Sequence, residues 1–200
     1  MTFRKKHNLF MGIYALSLLL VVILAVDCSY FQPKNLAEKK IEFPEAVYEM
    51  ITDTLPFRFA LSDQAVFSAR ENKEGEYFCD IVYPNYKAQL YCTWHRINPE
   101  QVILMSEESR RLAYQHTAMA TDIRQKQYNN DLSRTFGTLY EIEGDVATPL
   151  QLALTDSVSY FFNGSLYFNT TPNADSIAPF LEHIRKDVVY LMETFTPVYR

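Results

Sequence analysis

YFCDIVYPNYKAQLYCTW, residues Tyr77 to Trp94, is the stretch that decides the fold. Two runs rich in aromatic and apolar residues, Tyr77 to Tyr83 and Ala88 to Trp94, flank Pro84-Asn85-Tyr86-Lys87. That is the pattern of a β-hairpin. Period-two alternation puts Cys79, Ile81, Tyr83, Ala88, Leu90, Cys92 and Trp94 on one apolar face. Asp80, Lys87, Gln89 and Thr93 take the other. A turn symmetric about Asn85-Tyr86 sets Cys79 opposite Cys92. The pair can form a cross-strand disulfide if their Cβ atoms come close. It can equally stay reduced and pack as two small hydrophobes.

Upstream, Leu55 to Leu61 alternates after Pro56 and is expected to be a strand, with a weaker one at Gln64 to Ala69 and a charged turn from Glu71 to Gly75. Downstream, Asn98-Pro99-Glu100-Gln101 carries a helix start: Asn98 caps, Pro99 takes the first helical position and Gln101 the return position of a capping box. This helix is expected to reach about Thr121 and to bury Val102, Met105, Ser109, Leu112, Ala113, His116, Met119 and Ala120. Strands are expected at Ser133 to Ile142, at Gln151 to Thr155, and at Ser165 to Asn169 after an Asn163-Gly164 turn. In the last helix Ile177, Phe180, Leu181, Ile184, Val188, Leu191, Met192 and Phe195 keep a 3.6-residue period, while Glu182, His183, Arg185, Lys186 and Asp187 face water. Strands, helix, strands, helix is an α+β order: an antiparallel sheet with a central helix and a long C-terminal helix packed on it.

A membrane segment is expected ahead of this domain. Arg4, Lys5 and Lys6 precede the uncharged, mostly apolar run from Leu9 to Val26, the layout of a signal peptide or signal anchor. The basic flank stays cytoplasmic and the rest is exported. At 1.5 Å per residue the run spans about 27 Å, near the hydrocarbon thickness of a bilayer. Cys28 stands where a lipoprotein signal places its lipid acceptor, although Asp27 before it is larger than the usual small residue and charged. An uncleaved helix, a lipidated Cys28 and an inert Cys28 are all open on this pattern. Residues 1–28 thus form a signal or anchor, 29–42 a polar tether containing Pro33, and 43–200 the exported domain.

The whole chain carries a net charge of −5. Setting aside Arg4, Lys5, Lys6 and Asp27 leaves about −7 on the exported part, the wrong sign for a phosphate backbone. No nucleic-acid partner is expected. An exported protein also sits where disulfides persist.

The chain has no Gly-rich phosphate loop, G-x-S-x-G elbow, CxxC pair or H-E-x-x-H. No catalytic residue, cofactor or metal is expected. His7 lies in the cytoplasmic flank, His95 at a strand end and His183 on the polar face of the last helix. His116, on the buried stripe, could work as a base or bind a partner, or be a hydrogen-bonded core histidine; it could line a pocket with Asp156 only if the fold brought the two together. Glu141 and Glu143 share a strand face and, beside Gly144, read as a solvated strand end.

From Tyr77 to Phe195 the chain resembles the gliding motility-associated lipoprotein family GldD of Bacteroidota. The resemblance is carried by Ile81-Val82-Tyr83-Pro84 with Tyr86-Lys87-Ala88, by Leu112-Ala113-Tyr114-Gln115-His116-Thr117 and by Gly137-Thr138-Leu139-Tyr140-Glu141-Ile142. It is densest at Thr155-Asp156-Ser157-Val158, Gly164-Ser165-Leu166-Tyr167-Phe168, Pro172 to Ile177 and Asp187 to Thr194. The resemblance implies an exported protein of the cell envelope, anchored through lipid on Cys28, with its domain in the periplasm. It implies a non-catalytic accessory part in gliding motility and type IX secretion, with the membrane and other machinery proteins as partners. The alternative is an envelope domain that binds or hydrolyses a small molecule. The expected fold is also similar to the Mog1/PsbP-like sandwich, an analogy of architecture alone.

Overall fold

The structure is a computed structural model that describes residues 41–51 and 54–198. The Leu9–Val26 run, Cys28 and the tether up to residue 40 lie outside the described residues. The compact unit formed by the described residues starts at Phe43.

Its strands are β1 (Tyr48–Met50), β2 (Phe57–Arg58), β3 (Ala60–Ser62), β4 (Val66–Glu71), β5 (Tyr77–Tyr83), β6 (Ala88–Arg96), β7 (Ala120–Asn130), β8 (Thr135–Gly144), β9 (Leu150–Thr155), β10 (Tyr160–Phe168) and β11 (Thr196–Pro197). Two helices, α1 (Pro99–Tyr114) and α2 (Ala174–Thr194), complete the fold. Seven strands form one antiparallel sheet in the order β4-β5-β6-β10-β9-β8-β7. This is the expected α+β class. Two antiparallel meanders meet in the middle of the sheet, where β10 returns beside β6.

The hairpin has the expected register, with Cys79 opposite Cys92 and Tyr83 opposite Ala88. A single 3-10 turn, Pro84–Tyr86, reverses the chain, and Lys87 completes it at φ 51°. Gly164 is not part of a turn but sits inside β10 opposite Cys92. A Cβ there would stand 3.1 Å from Cys92 Sγ and 3.3 Å from the Leu152 side chain. The glycine therefore serves close packing between neighbouring strands.

One face of the sheet is covered by α2. Ile184, Val188, Leu191, Met192 and Phe195 pack with Phe57 and Phe59 onto the hairpin face and onto Leu139, Leu150, Leu152, Leu154, Tyr160 and Phe162. Phe195 lies at the centre of the aromatic cluster, its ring 4.9 Å from Phe162 and 5.7 Å from both Phe57 and Tyr160. The single strand expected at Leu55 to Leu61 is divided around Phe59, because β2 pairs with β11 and β3 pairs with β1. Asp187, expected in water, is buried on the same helix face.

The opposite face carries α1. Its capping box forms as the sequence specifies: Asn98 Oδ1 accepts from Gln101 N, and Gln101 Oε1 accepts from Asn98 N. Val102 and Met105 lean on Ile97, Ala153 and Phe161. Ala113 joins Tyr140, Ile142 and Val146. Only Ser109 and Ala113 are fully buried. The helix stops at Tyr114, short of the expected end, and a 3-10 turn over Gln115–Ala118 leads into β7. Met119, assigned to the buried stripe, is 63% exposed. No strand is expected from the sequence at β7. It is a sheet edge on which only Ala120, Ile123, Tyr128 and Asn130 are half-buried, so its polar run shows no alternation.

Candidate functional site

The residues singled out in the sequence separate in the fold. Cys79 and Cys92 are buried and free, so the disulfide is not formed in this structure. Burial pushes the Cys79 thiol up to about 12 and the Cys92 thiol well above its ordinary value, which keeps both protonated and unreactive in the folded protein. Asp156 is buried at the β9–β10 turn. Its Oδ1 accepts from the amides of Val158 at 2.9 Å, Ser159 at 2.7 Å and Tyr160 at 3.2 Å, and its Oδ2 from the Ser159 hydroxyl at 2.5 Å. Burial alone would raise its pKa, but these donors outweigh burial and hold it below the usual carboxylate value. The carboxylate organises a turn. The His116 side chain, its imagined partner, lies outside the described residues.

Two further polar positions differ from expectation. His183 is half-buried, stacked on Phe43 with 4.4 Å between rings, and its Nε2 meets Gln64 Oε1 at 2.8 Å. Asp187 Oδ1 accepts from the Tyr48 hydroxyl at 2.6 Å. Burial, and then this carboxylate, pushes that hydroxyl's pKa far upward. Both contacts tie the start of the domain to α2, because Phe43 and Tyr48 belong to the arm that precedes the sheet. His95, near the end of β6, pairs with Glu76 through Nδ1 at 2.6 Å.

A groove of about 780 Å³ runs between the N-terminal half of α2 and the β7–β8 end of the sheet. Arg124, Glu141 and Glu143 line one side; Ala178, Leu181, Glu182 and Arg185 line the other. Glu141, expected to be solvated, is only 8% exposed. A buried carboxylate needs compensating charge, and three cations supply it. Lys126 Nζ stands 2.7 Å from Oε1, Arg185 Nη1 3.7 Å from Oε1, and Arg124 Nε 3.6 Å from Oε2. Arg124 also pairs with Glu143, and Arg185 with Glu182 at 2.7 Å. Hydrogen bonding to Glu182 raises the Arg185 pKa, and the reciprocal bond lowers that of Glu182. The sequence does hold the signal for this network. Arg124 and Lys126 on β7, and Glu141 and Glu143 on β8, are i,i+2 pairs on facing antiparallel strands, but it is readable only once β7 is known to be a strand.

At the groove's end Gly144 takes φ +117°, where a side chain would be strained. The next residue, Asp145, accepts from Ala174 N at 2.7 Å, and Asn173 Oδ1 accepts from Ser176 N at 2.9 Å. Together they satisfy amides that the helix start leaves open. A second depression, about 560 Å³, lies at the hairpin end of the sheet, beside the edge-to-face pair Tyr91 and Tyr167. Among the described residues no group of three or more His, Cys, Asp or Glu could hold a metal ion, and no helix is long and apolar enough to cross a membrane.

An antiparallel sheet with one helix across one face and a second on part of the other defines an α+β domain of the helix-on-sheet class. The chain belongs to the gliding motility lipoprotein GldD family, whose model matches residues 28–196. Membership places it among the membrane-anchored lipoproteins of the cell envelope and connects it with gliding motility. No curated protein matches it in sequence. A solution structure of cyanobacterial PsbP (CyanoP) from Synechocystis is similar at 10% identity, with a TM-score of 0.46, covering 80% of this chain and 96% of that one.

Proposed function

We propose that this protein is a non-catalytic accessory component of the gliding motility and type IX secretion machinery of Bacteroidota. In this reading residues 1–28 are the signal, lipid on Cys28 holds the chain at the membrane, 29–42 are a tether and 43–200 dock onto machinery proteins from the periplasmic side. The family match carries the proposal, and it begins on Cys28 itself. The geometry supports it: Asp156 serves a turn, Glu141 is neutralised by its neighbours, and the paired thiols are buried. The small-molecule alternative draws on Asp156 and loses support, because that carboxylate already holds three amides and a hydroxyl.

A deletion strain tests the proposal. It is expected to lose colony spreading and to retain type IX cargo inside the cell. A strain that spreads and secretes normally would overturn the role. Metabolic labelling with a palmitate analogue tests the anchor: label is expected on the wild type and absent from Cys28→Ala, whereas equal label in both would favour a spanning helix.

A further inference from the structure

A smaller cavity, about 300 Å³, opens at the end of the sheet away from the hairpin turn. Neither Asp156 nor the groove beside β7 contributes to it. Ordinary ligand sites span roughly 300–1,000 Å³, so this one suits a small molecule. The strand register builds it. Glu71 stands opposite Tyr77 across β4 and β5, and Tyr77 opposite Trp94 across β5 and β6. Arg96, two residues beyond Trp94, shares their face. Glu74 adds to the rim from the β4–β5 turn, and Pro56 and Val198 form an apolar side. That side is held together by Val198 N, which donates to Pro56 O at 2.8 Å.

The polar groups around this cavity lack partners. Trp94 is only 5% exposed, and its indole N–H has no acceptor among the described residues. Buried donors are almost always paired, so this one marks a place where an acceptor is wanted. Glu71, Glu74 and Arg96 enter no ion pair among the described residues. Other arginines of the domain do: Arg110, Arg111, Arg124 and Arg185 each hold a glutamate. A purely anionic ligand would meet Glu71 and Glu74, and a purely cationic one would meet Arg96. A small molecule carrying both charges satisfies every wall, and a guanidinium is well shaped to receive a carboxylate.

We infer that this cavity binds a free α-amino acid with a small apolar side chain. Its carboxylate accepts from the Arg96 guanidinium and the Trp94 indole N–H. Its ammonium group donates to Glu71 and Glu74, and its side chain packs on Pro56 and Val198. The docking role proposed above does not depend on this site.

The test uses the full chain in nonionic detergent, titrated with alanine, valine and leucine. Trp94 is the chain's one tryptophan, so its emission reports on the site directly, with calorimetry as the second readout. Saturable binding of at least one of the three is expected. The N-acetyl and amide derivatives of that amino acid, each lacking one charge, are expected to bind at least about tenfold more weakly. Arg96→Gln, and Glu71→Gln with Glu74→Gln, are expected to lose as much. Arg110→Gln removes a cation from α1 and is expected to leave binding unchanged. Trp94→Phe, read by calorimetry, is expected to weaken binding by removing the N–H. The wild-type comparison of ligand derivatives keeps the test decisive if that variant does not fold. No binding of any of the three amino acids by either readout would overturn the inference. Equal binding of the derivatives, full binding by Arg96→Gln, or equal weakening by Arg110→Gln would do the same.

Discussion

The two helices cover the two faces of one sheet in very different ways. α2 buries Ile177, Ile184, Val188, Leu191 and Met192, with Asp187 among them, and ends on Phe195 inside an aromatic cluster. α1 buries only Ser109 and Ala113, and leaves Ile103 and Leu104 at 73% and 69% exposure. The strands beneath differ to match: Cys79, Ile81, Leu90 and Cys92 are closed off under α2, while Tyr91 on the other face is half-exposed. The apolar area removed from water, and with it the hydrophobic stabilisation, lies on the α2 side. The α1 side and the rim by β7 keep surface that folding does not use.

Truncating one residue on each helix separates the contributions of the two faces. Phe195→Ala is expected to cost about 3–5 kcal/mol, as large-to-small changes in aromatic cores do, read as a lower urea midpoint. Leu104→Ala is expected to stay within about 0.5 kcal/mol of wild type. Similar losses would mean that α1 carries as much of the fold as α2.

A smaller effect is expected where the N-terminal arm meets α2. Tyr48→Phe removes the hydroxyl that donates to Asp187 and leaves a buried carboxylate short of a donor, at a cost of about 1–3 kcal/mol. An unchanged midpoint would show that the arm is not held by this bond.

Asp156→Asn sharpens the role of the β9–β10 turn. It replaces charge-assisted hydrogen bonds by neutral ones, worth about 1 kcal/mol. The folded-state pKa of Asp156 is depressed, so its contribution is present above the unfolded value of about 3.9 and is lost as pH falls through the lower folded value. The gap between wild type and variant should therefore be full at neutral pH and close in acid below that range. A gap that widened on acidification would contradict the assignment.

The smallest expected effect is at the thiols. Cys79 and Cys92 are buried and protonated, so an alkylating reagent should label neither in the folded protein and both after denaturation. Absence of label even after denaturation, restored by reductant, would show that the pair is joined in the exported chain.

The hairpin register, the start of α1 and the α2 stripe were legible because strong alternation, capping residues and a 3.6-residue period each leave a mark in a few neighbouring positions. β7 was not, because an edge strand of polar residues has no buried face to pattern it. Missing β7 also hid the Glu141 network, whose cations Arg124 and Lys126 come from that strand. Gly164 read as a turn because its actual constraint, the Cys92 sulfur on the next strand, is invisible locally. His183 and Asp187 read as solvated because the helix wheel does not show the arm of Phe43 and Tyr48 laid over them. The groove was unreadable for the same reason: its walls come from β7, β8 and α2, far apart in sequence.

The role proposed for this domain in gliding requires that Cys28 hold it at the membrane. Colony spreading of a deletion strain supplied with either the wild-type chain or Cys28→Ala tests it most directly, with the abundance of both chains matched. The wild type is expected to restore spreading, and Cys28→Ala is expected not to. Full spreading with Cys28→Ala would contradict it.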